Sequence, residues 1–331
     1  MQPQARRVRT VLGDIIPGEL GRTDAHEHLL IRSPLLRGDE LDDRELSAVE
    51  AAELKRSGID AVVELTPIGL GRDPEGVAYI AARSGLHIVL ATGLHREAHY
   101  PPEHWVYRTG AEQFVEMFVR DITHGCDGND YSGPREKSTN VPAGVIKVGA
   151  GYWRISHAER SAFEAAGEAH QRTGASVVAH LELGTAAWEV LEALGEAGVP
   201  PDRVALAHVD RNPDAGAHAE LASAGAYLGY DGMSRAKYWP DSVVLDCLLK
   251  VASRGGAERI LLGGDVARRA SYHSYGGMPG LSYLPRRFVP RLAEAGGDEL
   301  VHQILVDNAA RFLAFAPRER KGGSWSHDAS S

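Results

Sequence analysis

Three runs decide the architecture: Ser176-Val177-Val178-Ala179-His180-Leu181, Arg203-Val204-Ala205-Leu206-Ala207-His208-Val209 and Ala226-Tyr227-Leu228-Gly229-Tyr230-Asp231. Each is short, apolar and bounded by Gly, Pro or polar residues, as a buried strand requires. Residues 185–197 and 214–224, which separate them, carry helical periodicity. Strands joined by such crossovers lie parallel. The alternation extends outward in both directions. Further strands are expected at 22–28, 60–66, 87–93, 144–149 and 259–265, and further helices at 43–57, 74–84, 156–173, 241–254 and 284–295. Eight strands with helices between them predict an α/β fold of the (β/α)8 TIM barrel type. A doubly wound open sheet is the alternative, weakened because no G-x-G-x-x-G follows the first strand.

Two regions interrupt the alternation. Residues 8–12 and 15–20 flank Gly13-Asp14, which predicts a short N-terminal β-hairpin. Residues 100–142 form a long connection after strand three, with a helix at 111–124 and a polar stretch at 125–140. Such a loop on the active face shapes a substrate site. Residues 305–316 read as a final helix closing the barrel. The expected domain spans 1–317, and the Lys/Arg-, Gly- and Ser-rich residues 318–331 read as a flexible tail.

Composition narrows the function. The chain has 331 residues, 43% hydrophobic and 24% charged, with a net charge of −9. That excludes global disorder and disfavours general binding to nucleic acid or to an anionic membrane. No apolar run spans a bilayer and no secretory h-region follows Met1, so a cytoplasmic location is expected. Cys126 and Cys247 have no metal-ligand spacing and read as packing residues in a reducing compartment.

The 15 histidines matter through their placement. Several strands end in a residue able to bind a divalent cation: His26 and His28 on the first, His180 on the fifth, His208 on the sixth and Asp265 on the eighth. Positions two apart on a strand share a face, so His26 and His28 aim into the mouth together while Glu27 points away. Lys147, on the fourth strand, is costly to bury unless paired or chemically changed. Imidazole and carboxylate suit Zn²⁺, and also Mn²⁺ or Co²⁺. A single histidine at a strand end is more often a hydrogen-bonded core residue. His87, His99, His157, His170 and His218 are read that way.

The order HxH, Lys, His, His, Asp on strands one, four, five, six and eight resembles the phosphotriesterase-related branch of the amidohydrolase superfamily. The matching segments are Thr23-Asp24-Ala25-His26-Glu27-His28, Gly144-Val145-Ile146-Lys147-Val148, Ala179-His180-Leu181-Glu182, Ala207-His208-Val209-Asp210-Arg211-Asn212 and Gly264-Asp265. The resemblance implies two divalent metals, Zn²⁺ first in expectation. His26, His28 and Asp265 would hold the more buried metal, His180 and His208 the more exposed one, and carboxylated Lys147 would bridge them. The implied reaction is opening of a lactone, or cleavage of another ester, by a hydroxide bridging the cations, with Asp265 accepting its proton.

Two loops bear on the substrate. Arg235-Ala236-Lys237-Tyr238 with Pro240-Asp241-Ser242, and Asp265-x-x-Arg268 with Tyr272-x-x-Tyr275-Gly276-Gly277, resemble the phospho-furanose lactonase subgroup. That resemblance makes Lys237 and Arg268 the phosphate-binding candidates, with Arg235, Tyr272 and Tyr275 beside them. Arg clamps phosphate bidentately and Lys adds a point charge. At least one of Arg268 and Arg269 is expected to be a solvent-facing salt-bridge residue. Tyr100, after strand three, is a pocket-lining candidate. The favoured substrate is therefore a phosphorylated furanose lactone, a small anionic molecule. A general lactonase or carboxylesterase, or a phosphotriesterase, is the alternative. A non-catalytic metal-binding protein and a one-metal deaminase-type hydrolase are the readings from other classes. The resemblance also implies a homodimer.

Overall fold

The structure, a computed structural model, describes residues 5–133 and 135–316. The tail expected at 318–331 lies outside them. Ten strands form in chain order. Strands β1 (Val8–Thr10) and β2 (Gly13–Ile15) make a two-stranded antiparallel sheet. The others are β3 (Thr23–Glu27), β4 (Ala61–Glu64), β5 (His87–Gly93), β6 (Val145–Ala150), β7 (Val177–Leu181), β8 (Val204–Ala207), β9 (Tyr227–Tyr230) and β10 (Ile260–Leu262). These eight pair in sequence order, all parallel. The circle is completed where the Gly264 and Asp265 amides donate to the His26 carbonyl at 3.1 and 2.7 Å. All eight expected strands are present, seven of them matching or trimmed at one or both ends and β6 shifted by one residue, and the fold is a (β/α)8 barrel.

Helices α1 (Arg44–Arg56), α2 (Pro74–Ser84), α3 (Ala111–Thr123), α4 (His157–Thr173), α5 (Ala187–Glu196), α6 (Ala215–Ser223) and α7 (Asp241–Val251) fill the crossovers. Local chemistry sets their ends. Asp43 accepts the Glu45 and Leu46 amides at the start of α1. Ser156 and Glu159 form a capping box on α4, and Gly174 ends it in the left-handed region.

Two expectations are corrected. The hairpin turns at Val11-Leu12 rather than at Gly13-Asp14, since Thr10 pairs with Gly13 and Gly13 belongs to β2. The closing helix starts earlier and stops sooner than 305–316: helical turns run from α9 (Asp298–His302), after α8 (Val289–Gly296), through residues 303–308 to α10 (Ala309–Leu313). The acidic first turn at Asp298 and Glu299 favours that earlier start.

Strand alternation sorts the core into two. Val62, Ile88, Leu90, Ile146, Leu206 and Leu228 face the helices, whereas Ala61, Val63, Val89, Val145, Val178, Ala205 and Leu261 fill the barrel with Phe312 and Leu313. Lys147 and His180 lie two residues beyond Val145 and Val178, on the same inward face. The apolar floor thus ends where the polar mouth begins.

Gly93 shows how tightly β5 meets β6. Its φ is +105°, and a Cβ there would lie 2.0 Å from the Lys147 carbonyl oxygen. Gly93→Ala combines backbone strain with overpacking, together about 3 kcal/mol. Urea unfolding should show that loss as an earlier midpoint at unchanged slope; a midpoint equal to wild type would refute the tight contact.

Candidate metal centre

The six ligand candidates converge at the C-terminal edge of the barrel, and all are buried. His26 and His28 come from the end of β3, Lys147 from β6, His180 from β7, and His208 and Asp265 from just beyond β8 and β10. His208 and Asp265 stand in the left-handed region, at φ +67° and +47°. Each such non-glycine residue costs about 1–3 kcal/mol, which the surrounding contacts must offset.

The hydrogen-bond network fixes which nitrogen of each ring is free. Asp231 sits directly after β9. Its two carboxylate oxygens accept from His26 Nδ1 at 2.8 Å and His208 Nδ1 at 2.6 Å. Thr66 Oγ1 lies 2.9 Å from His28 Nδ1, and Glu182 Oε2 lies 2.9 Å from His180 Nε2. The carboxylate partners place the lone pairs on Nε2 of His26 and His208 and on Nδ1 of His180, and the Thr66 contact leaves Nε2 of His28 turned to the centre. His180 Nδ1 and His208 Nε2 face each other at 2.9 Å. His26 Nε2 and His28 Nε2 lie 3.4 and 3.5 Å from Asp265 Oδ1. Lone pairs at these distances repel unless something positive stands between them. Burial pushes His26 down to about 3 and lowers His180 and His208 as well, so these three rings do not carry the positive charge themselves.

Lys147 supplies the same argument. Its Nζ is buried with no hydrogen-bond partner, and burial lowers its pKa to about 8. His26, His28 and Asp265 form one group with metal-ligand spacing, and His26, His208 and Asp231 form another. An orphaned amine and opposed lone pairs fit a cluster of cations. The residues present suit the metals that the sequence implies.

The profile of the Phosphotriesterase family matches residues 6–313. The chain belongs to the phosphotriesterase family. A phospho-furanose lactonase from Mycoplasmopsis synoviae is 33% identical over 326 residues, covering 93% of this chain and 91% of that one. Among solved structures, an amidohydrolase from Mycoplasma synoviae superposes with a TM-score of 0.90 at 32% identity, covering 94% of this chain and 92% of that one. A lactonase from Listeria monocytogenes superposes at 0.85 with 31% identity, covering 93% and 98%. This phosphotriesterase-family chain is a metal-dependent hydrolase acting on ester bonds.

The substrate-side candidates scatter. Arg235 lies in the mouth, its Nη1 2.9 Å from Asp265 Oδ2, and Arg211 Nη2 is 2.7 Å from the same oxygen. Arg235 and His26 stand first among the neighbours that hold the buried Asp265 carboxyl well below its usual range. Lys237 is exposed, its Nζ 4.8 Å above the Tyr238 ring, and has no carboxylate partner among the described residues. Arg268 pairs with Asp39 at 3.2 Å and Arg269 with Asp42 at 3.3 Å, so both are salt-bridge residues.

The tyrosines serve the fold. Tyr100 is buried, and its hydroxyl donates to the Ile68 carbonyl at 2.8 Å while accepting the His95 amide at 2.9 Å. Tyr272 is fully buried and donates to the His28 carbonyl at 2.5 Å, bracing the strand end that carries two ligand candidates. Tyr275 donates to the Asp43 carbonyl at 2.8 Å and so ties its loop to α1. Their hydroxyls are engaged with backbone, which leaves them unsuited to grip a ligand. Of the histidines read as core residues, His170 meets the Ala175 carbonyl and His218 meets the Tyr230 hydroxyl. Cys126 and Cys247 are buried and unpaired.

Asp231 is the residue that the sequence reading passed over. Asp231→Asn removes the charge and replaces one accepting oxygen with a donor. Metal affinity should fall roughly 10–100-fold, measured by competition against a chelator with circular dichroism unchanged. Wild-type affinity in that variant would remove its orienting role.

Proposed function

We propose that the chain opens the ring of a phosphorylated furanose lactone at a two-metal centre bridged by carboxylated Lys147. The observation that carries this reading is the pairing of that centre with an exposed cation, Lys237, which has no carboxylate partner among the described residues and sits on the loop directly after β9. The similarity to a named phospho-furanose lactonase supports it. Lowering of the Lys147 pKa to about 8 leaves a useful fraction of neutral amine near neutrality. The neutral Nζ attacks the carbon of CO₂, forms an N–C bond and releases one proton to solvent. The product is an anion that answers the burial of the chain's only lysine in the barrel interior among the described residues.

When bound, the metals supply an activated water and a Lewis acid for the scissile carbonyl. His26, His28 and Asp265 would hold one, and His180 and His208 the other. Asp265 would be able to accept a proton only with its Oδ2 freed, because two guanidinium groups on one oxygen suppress its basicity. Arg235 is the partner able to leave: it is the more exposed of the two, and an arriving phosphate competes for it. An anionic substrate thereby both docks and prepares the base. A neutral lactone is the second reading, favoured by the pairing of Arg268 and Arg269 with Asp39 and Asp42.

The deciding experiment compares kcat/KM for lactones with and without a terminal phosphate. A preference for the phosphorylated ring of roughly 100-fold or more is expected, reduced about tenfold or more by Lys237→Ala. Equal rates on both would select the neutral-lactone reading. Lys147→Ala should lose most bound metal and most activity, with partial recovery when a short carboxylic acid is added with metal. Unchanged metal content in that variant would end the bridging role. Metal uptake by apoprotein should also require CO₂ and, at constant dissolved CO₂, run faster at pH 8.5 than at pH 7, since the neutral amine grows as pH rises through about 8.

A further inference from the structure

Beyond β5 the chain brings two imidazoles together that no step above uses. His95 and His99 stack with ring centroids 3.7 Å apart and planes inclined by 25°. The His95 ring lies 4.7 Å from that of His180. The pair is held against the metal centre from several sides. The Leu94 amide donates to the Lys147 carbonyl at 2.9 Å. The Tyr100 hydroxyl accepts the His95 amide. Arg96 passes so close to Gly149 that a Cβ there would lie 2.8 Å from its amide nitrogen and 3.3 Å from the His180 Cβ.

Each ring spends one nitrogen on the protein. His95 Nδ1 accepts the Arg96 amide at 2.8 Å, which places the ring hydrogen on Nε2. His99 Nδ1 lies 3.0 Å from Ser33 Oγ, which also accepts the Leu35 amide; when Ser33 donates its hydrogen to Nδ1, the His99 ring hydrogen sits on Nε2. Among the described residues neither Nε2 has a hydrogen-bond partner. Two oriented N–H groups beside the ligand set thus lack acceptors. A ring bearing only hydrogen or alkyl groups would leave them unsatisfied, whereas ring hydroxyls supply acceptors.

The geometry points to His95 and His99 as a specificity-determining pair that donates two hydrogen bonds to the hydroxyls of a furanose ring; this rests on the lactonase reading above. The pair would select hydroxylated lactones independently of any terminal phosphate. Phosphate recognition stays with the loop after β9.

The test uses the metal-loaded full chain and its variants His95→Phe, His99→Phe and His99→Gln. The readout is kcat/KM for a pentono-1,4-lactone divided by that for γ-butyrolactone, a ring of the same size without hydroxyls. That ratio should fall roughly tenfold in each Phe variant, with metal content at the wild-type level, and recover to within about threefold in His99→Gln. An unchanged ratio, or loss of metal in both Phe variants, overturns the assignment. Binding of a 1,4-anhydropentitol, which has no scissile bond, is measured by calorimetry in parallel. Wild type should bind it about tenfold more tightly than His99→Phe, and equal binding again overturns the pair. If wild type hydrolyses no sugar lactone yet discriminates in binding, the lactonase reading falls and the pair stands. Absence of both hydrolysis and binding removes both.

Discussion

Four imidazoles are compelled to turn bare lone pairs toward one another and toward a carboxylate. Asp231 does half of this alone, taking the Nδ1 hydrogens of His26 and His208 onto its two oxygens. Glu182 does the same for His180, and Thr66 anchors Nδ1 of His28. Electrostatic repulsion between acceptors at 2.9 Å would drive these rings apart were it not for the packing behind them. The barrel supplies that packing, because the strands bearing the rings are hydrogen-bonded to their neighbours around a complete circle. A rigid scaffold holding mutually repelling donors is the physical basis of tight cation binding, and the strained backbone at His208 and Asp265 belongs to the same arrangement.

Much of this was readable from the amino acids. The strands were legible because each is a run of Val, Ile, Leu or Ala too short for a helix, and the crossovers because their periodicity is helical. The ligand candidates were legible because polar residues interrupting apolar strands at their C-terminal edge have few structural explanations. Asp231 escaped notice for the opposite reason. A carboxylate after a strand and before Gly232 looks like turn chemistry, and its two histidine partners are 23 and 205 residues away in sequence. The stacking of His95 on His99, the latter read as a core residue, was hidden for a related cause: their spacing matches no strand, and only the single helical turn at Glu97–His99 brings the rings face to face. The tyrosines misled in the other direction. A hydroxyl in a loop near a mouth suggests a ligand contact, yet Tyr100, Tyr272 and Tyr275 spend theirs on carbonyl groups that the loops would otherwise leave unpaired.

The centre and the substrate-side loops obey different rules. Lys147, His180 and the Asp231 bridge belong to or directly abut strands, where a shift of one residue would turn a side chain to the wrong face. Lys237 and Arg235 occupy an irregular connection, where side chains can be exchanged without disturbing register. Chemistry and selectivity are thereby separable in this molecule.

Glu50 on α1 accepts the Ser274 and Leu281 amides, and so joins the first crossover to the final loop across more than two hundred residues. The same span separates His26 and His28 from Asp265. During synthesis a nascent chain would expose two histidines long before their carboxylate partner leaves the ribosome. Cation loading must therefore await release of nearly the whole polypeptide, and the cell has to keep an open, histidine-bearing half-barrel from binding the wrong ion or a neighbouring chain in the meantime.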